Sequence, residues 1–112
     1  MTSPPPTRAI ADMPATFTRE QGCSENEWLG WLPGAVGPHP WRATGPAQAE
    51  VLLDAWQPRA RLRLQWQALP PRRIALLQMP RLSVTFDFQD CPPQDRARFM
   101  HYFDLYTRRG GG

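Results

Sequence analysis

Apolar and polar residues alternate without a break from Ala60 to Ala68, in the order Ala-Arg-Leu-Arg-Leu-Gln-Trp-Gln-Ala. A period of two is that of a strand with one dry face and one wet face. Leu82, Val84, Phe86 and Phe88 alternate in the same way with Ser83, Thr85, Asp87 and Gln89, which predicts a second half-buried strand. Glu50–Trp56, with Val51, Leu53 and Ala55 on one side, and the apolar run Ile74–Met79 predict two further strands. Pro70-Pro71-Arg72-Arg73 reads as a turn, and Pro80 as a break or bulge, because proline brings no donor to a ladder.

The helical period appears twice. Ser24 and Glu27 form a capping box ahead of Trp28, Trp31 and Leu32, which fall at i, i+3 and i+4, and Pro33-Gly34 marks the end. A second helix is predicted from Pro93 to about Arg108. Phe99, Tyr102, Phe103 and Tyr106 form its core-facing stripe, and Gly110 stops it. Laid over Leu62, Leu64, Trp66, Val84 and Phe86, that stripe gives an α+β fold: a small antiparallel sheet of three or four strands covered by a C-terminal helix, in two layers.

At 112 residues the chain has room for one domain. Residues 1–22 are Pro-rich with few large apolar groups and read as a disordered tail. Residues 23–109 hold the single α+β domain, with 33–47 as a loop, and 110–112 form a flexible glycine tail. No export signal opens the chain and no apolar run is long enough to span a bilayer, so the expectation is a cytoplasmic protein without a membrane partner. Cys23 and Cys91 are then reduced thiols.

Charge adds a candidate partner. The net charge is +3 and all the basic residues are arginine. Residues 1–58 carry three Arg against six acids, and residues 59–112 carry ten against four. Arg59, Arg61 and Arg63 share one side of the first strand, with Arg72 and Arg73 beyond it. Guanidinium forks suit carboxylates and phosphates, so these five are anion-binding candidates for a nucleotide or nucleic acid. The aromatic residues of the strands share the parity of the core, which leaves no stacking platform for single-stranded bases. Trp28, Trp31 and Trp41 are candidates for a protein interface, tryptophan being enriched at binding hot spots.

Catalytic machinery is not evident. Cys23, Cys91, His39 and His101 lack the paired spacing of a metal site, and no cofactor motif occurs. The Val84–Phe88 strand running into Pro93–Phe103 resembles the close of a PilZ domain, but the family's DxSxxG stretch has no counterpart in this sequence, and no family is assigned on it. The expectation is a non-enzymatic protein-interaction or assembly domain, with self-association as a homodimer included. The alternative is anion, nucleotide or nucleic-acid binding through the arginine face.

Overall fold

The computed structural model describes residues 13–111, and side chains as far as Arg108. The elements are β1 (Thr16–Gln21), α1 (Glu25–Ala35), β2 (Trp41–Gly45), β3 (Gln48–Leu52), β4 (Arg61–Ile74), β5 (Leu77–Gln89) and α2 (Pro93–Gly111). The strands form one antiparallel sheet in the order β1-β5-β4-β3-β2, five strands rather than three or four. Both helices cover the same face.

Register follows from parity. Leu62 stands opposite Phe88, Leu64 opposite Phe86, Trp66 opposite Val84 and Ala68 opposite Leu82. A slip of one residue would turn these side chains, except the already exposed Ala68, out of the core, so the dry face fixes the pairing. Against that face Phe103 stands edge-on to Phe86 at 5.4 Å, and Trp28 lies 5.7 Å from both Trp66 and Phe103.

The two extra strands have thin apolar signatures. β1 falls in the stretch expected to be disordered, and residues 1–12 of that stretch lie outside the described residues. Its one large apolar residue, Phe17, stacks on Phe86 at 5.0 Å, and its Arg19 pairs with Asp104 of α2. Arg96 secures the chain ahead of β1 by donating from Nε and Nη2 to the Met13 carbonyl. β2, expected as loop, is anchored by half-buried Trp41 and pairs with β3. β3 ends at Leu52, short of the expected Trp56. Leu53 is buried in the turn that follows, and Ala55 is exposed.

The capping box forms as expected: Glu27 N–H donates to Ser24 Oγ at 3.1 Å and Ser24 N–H to Glu27 Oε1 at 3.0 Å. α1 then passes through Pro33 to Ala35 instead of ending there. Burial of Leu32, Ala35 and Val36 pulls in the last turn, and Val36 N–H closes it on the Leu32 carbonyl at 3.1 Å.

In α2 the stripe is rotated from its expected position. Phe99, Met100, Phe103 and Thr107 are buried, whereas Tyr102 and Tyr106 are largely exposed. The reason is α1. Gly34 has no Cβ to displace the Tyr106 ring, and Tyr102 packs beside Gly37, which holds a left-handed φ of 67°, so the tyrosines cover the seam between the helices. α2 also runs past Gly110, the expected stop, to Gly111.

The largest departure lies at the β4–β5 hairpin. Pro70–Arg73 is not a turn. β4 continues to Ile74, Ala75 and Leu76 form the loop, and β5 returns through Pro80. Leu69 pairs with Arg81 and Arg72 with Met79, so Pro70 and Pro71 face Pro80 across a bulge, two residues against one. No ladder bond is needed there, and three prolines sit where their missing donors cost nothing. β3 accompanies β4 only to Gln65, and β1 reaches only Leu82 of β5. The rest of the hairpin therefore projects from the sheet as an arm about 20 Å long.

Phe103 is fully buried amid the rings of Trp28, Phe86 and Phe99. Phe103→Ala is expected to destabilise the fold by about 3–5 kcal/mol. Urea unfolding followed by tryptophan fluorescence checks this through the midpoint.

Candidate interaction surface

The helix-free face of the sheet carries the side chains of opposite parity to the core. Register lines up Arg42, Glu50, Arg63, Asp87 and Thr16 as one row across the five strands, alternating in charge. Arg42 bonds Glu50 at 3.0 Å, Arg63 lies 3.8 Å from the other oxygen of Glu50, and Thr16 donates to Asp87 at 3.0 Å. Arg61 pairs with Asp54 at 2.6 Å. Toward the arm, Arg81 donates from both Nε and Nη2 to Glu20 at 3.1 and 2.8 Å, and Arg72 stands 3.9 Å from the same carboxylate. The hydrogen bonds from Arg81, with the charges of Arg81 and Arg72, hold the Glu20 carboxyl below its ordinary range.

Arg61, Arg63 and Arg72 are thus engaged by Asp54, Glu50 and Glu20. Arg59 and Arg73 have no carboxylate partner among the described residues, but they are not brought together. Arg59 holds a left-handed φ of 68° in the turn before β4, and Arg73 lies on the arm. The five candidates are spread along the fourteen residues of β4 and the turn before it, not gathered in one basin. What sequence reasoning missed are the carboxylates of Glu20 and Glu50, which come from strands β1 and β3 on either side of the central hairpin.

The tryptophans divide. Trp28 is wholly buried, so it belongs to the core and cannot meet a partner while the fold is intact; Trp31 and Trp41 are half-buried against the core edge. Trp66 donates its indole N–H to Glu25 at 3.1 Å, which ties the start of α1 to the sheet.

The arm is where exposed apolar surface concentrates. Through the register, Leu69, Arg72, Ile74, Leu77, Met79 and Arg81 continue the helix-free face, while Arg73 and Gln78 take the other side. Ile74, Leu77 and Met79 are about half exposed or more, and Leu76 at the tip is 100% exposed. Ala75 holds φ at 55°, a conformation that glycine adopts without cost. Residues 69–81 contain three arginines and no acid.

Cys23 and Cys91 are buried free thiols, each pushed up to about 11 chiefly by burial, with Glu27 and Asp95 adding to it in turn. Among the described residues, no three His, Cys, Asp or Glu side chains group to hold a metal, and no helix is long and apolar enough to cross a membrane. No family model matches the chain, and neither the curated proteins nor the solved structures yield a match.

Two outcomes follow from this geometry. Freeing the arginines should raise the anion affinity of the face: Glu20→Gln with Glu50→Gln is expected to elute from heparin at higher salt than the native chain, with a steeper salt dependence. The thiols should resist modification near neutral pH, because only the thiolate reacts and burial withholds it. Ellman's reagent is expected to titrate neither cysteine in the native protein and both in concentrated guanidinium.

Proposed function

We propose that this chain is a protein-interaction module whose working part is the β4–β5 arm, and that its partner offers an apolar groove rimmed by acidic side chains. The observation that carries this reading is the complete exposure of Leu76 at the end of a hairpin that also displays Ile74, Leu77 and Met79. Soluble chains seldom leave such surface contiguous unless something covers it. Three features select the partner. Arg73, which has no carboxylate partner among the described residues, favours a negative rim. The apolar residues share one side of the arm, which suits an element lying in a groove. The prolines at the bulge remove the amide donors that strand addition would use, so recognition rests on side chains.

A lipid surface fits less well. The side that presents Ile74, Leu77 and Met79 continues into Glu20, Asp87 and Glu50, and an anionic bilayer laid against it would meet those carboxylates. A second copy also fits less well, because the exposed side of α2 bears Arg98 and Arg108, the same sign as the arm.

A photo-crosslinker in place of Leu76, activated in the native host, tests the proposal. The expected product is one protein, crosslinked at an acid-rimmed groove. Leu76→Asp with Leu77→Asp should weaken the purified complex at least roughly tenfold while circular dichroism and the unfolding midpoint stay unchanged. Crosslinks only to lipid, only to a second copy, or to no macromolecule would overturn it.

A further inference from the structure

On the opposite side of the molecule, the end of α1, the turn after β3 and the outer face of α2 enclose a cleft of about 240 Å³. Val36 and Phe99 form its apolar base, and Trp56 and Tyr102 line it with His39 and Arg98. Two polar groups reach it, neither hydrogen-bonded nor ion-paired within the chain among the described residues.

The first is His39. It is only 7% exposed, yet its ring makes no hydrogen bond among the described residues. Its contacts are aromatic: the Trp56 ring stands edge-on at 4.4 Å and Phe99 lies 6.2 Å away. Its ring nitrogens still reach solvent at the cleft; among the described residues the fully buried side-chain polar atom left without a partner is Trp28 Nε1. Burial, and then the charge of Arg98, lower its pKa, so the imidazole is neutral and brings one donor and one acceptor to the cleft.

The second is Arg98. Its guanidinium carbon stands 4.3 Å from the centre of the Trp56 ring. No carboxylate among the described residues pairs with it. Stacking engages the face of a guanidinium and leaves its in-plane N–H donors available, which is the edge that matches a carboxylate.

We propose that this cleft binds a small carboxylate carried on a single aromatic ring. The ring enters between Trp56, Phe99 and Tyr102, the carboxylate takes the in-plane donors of Arg98, and the His39 N–H completes its coordination. The volume sets the size: the cleft lies below the range of most drug-sized pockets, which begins near about 300 Å³, so it admits one ring and not two. A single guanidinium with an apolar base favours a monocarboxylate over a phosphate, which would leave more charge unmatched. The site shares no residue with the arm and stands or falls independently of it.

Benzoate is the probe and benzamide, equal in shape but uncharged, its control. The readout is the Trp56 indole and Phe99 amide resonances in nitrogen–proton correlation spectra of the full chain. Benzoate is expected to move both, with a dissociation constant of the order of 1 mM for so small a ligand. Benzamide should bind at least roughly tenfold more weakly, and Arg98→Gln, at an exposed position, should erase that preference. Three results would overturn the proposal. One is no movement at about 10 mM benzoate, well above the expected constant. Another is an equal response to benzamide. The third is movement confined to the arginine face around Arg63.

Discussion

A one-sided sheet in strict register is the constraint that everything else in this molecule obeys. Once Leu64 is opposite Phe86 and Trp66 opposite Val84, the dry side has room for two helices and the wet side for none. Each of these side chains contributes about 1.5–3 kcal/mol by leaving water, and a slip by one residue would forfeit all of them together. The same parity sends Arg61, Arg63, Asp87, Glu50 and Thr16 to the other side, where they meet across strands rather than along one. The polar face is therefore a consequence of the core, and its charge pattern comes from which strands neighbour which.

That origin explains how an arginine row becomes nearly neutral. Read along β4, the positive charges accumulate. Read across the sheet, Glu50 stands opposite Arg63, while Glu20 comes within reach of Arg72 and Arg81. Exposed pairs of this kind are worth little in stability, about 0–1 kcal/mol each. Their effect on recognition is larger, because an incoming phosphate must displace a carboxylate already in place.

The two central strands, the capping box and the placement of α2 over the sheet were legible because each rests on a local period or a local motif. β1 and β2 were not, because Thr16–Gln21 has only Phe17 to signal a face and Trp41–Gly45 only Trp41. β1 is held by a neighbour far along the chain, Phe86 for Phe17, which no short window contains, whereas β2 pairs with the next strand, Trp41 opposite Val51, in a stretch whose glycines and prolines read as loop. The prolines misled for a related reason. Pro70, Pro71 and Pro80 each argue against a strand when taken singly, yet facing one another across a bulge they cost the ladder nothing. Of the proposed sites, the arginines were visible as residues and invisible as ion pairs. The cleft of His39 and Arg98 gave no sequence signal, its residues lying in three separate segments.

The arm poses the remaining energetic question. Beyond Ala68 and Leu82 the hairpin buries almost nothing, yet its backbone is ordered by the paired strands, by three prolines and by the left-handed Ala75. Stiffness of this kind lowers the entropy lost on docking. Covering Ile74, Leu76, Leu77 and Met79, three of them already partly buried, would return about 4–8 kcal/mol at ordinary side-chain values. Immobilising two macromolecules costs about 4–15 kcal/mol. The two ranges overlap, so apolar contact alone gives a marginal complex, and the deciding contribution falls to charge. Arg72 and Arg81 already share Glu20, whereas Arg73 has no carboxylate partner among the described residues and lies on the arm's other side. A groove deep enough to take both sides of the hairpin would bury the leucines and place an acid against Arg73 at once, whereas a flat surface could satisfy only one of the two.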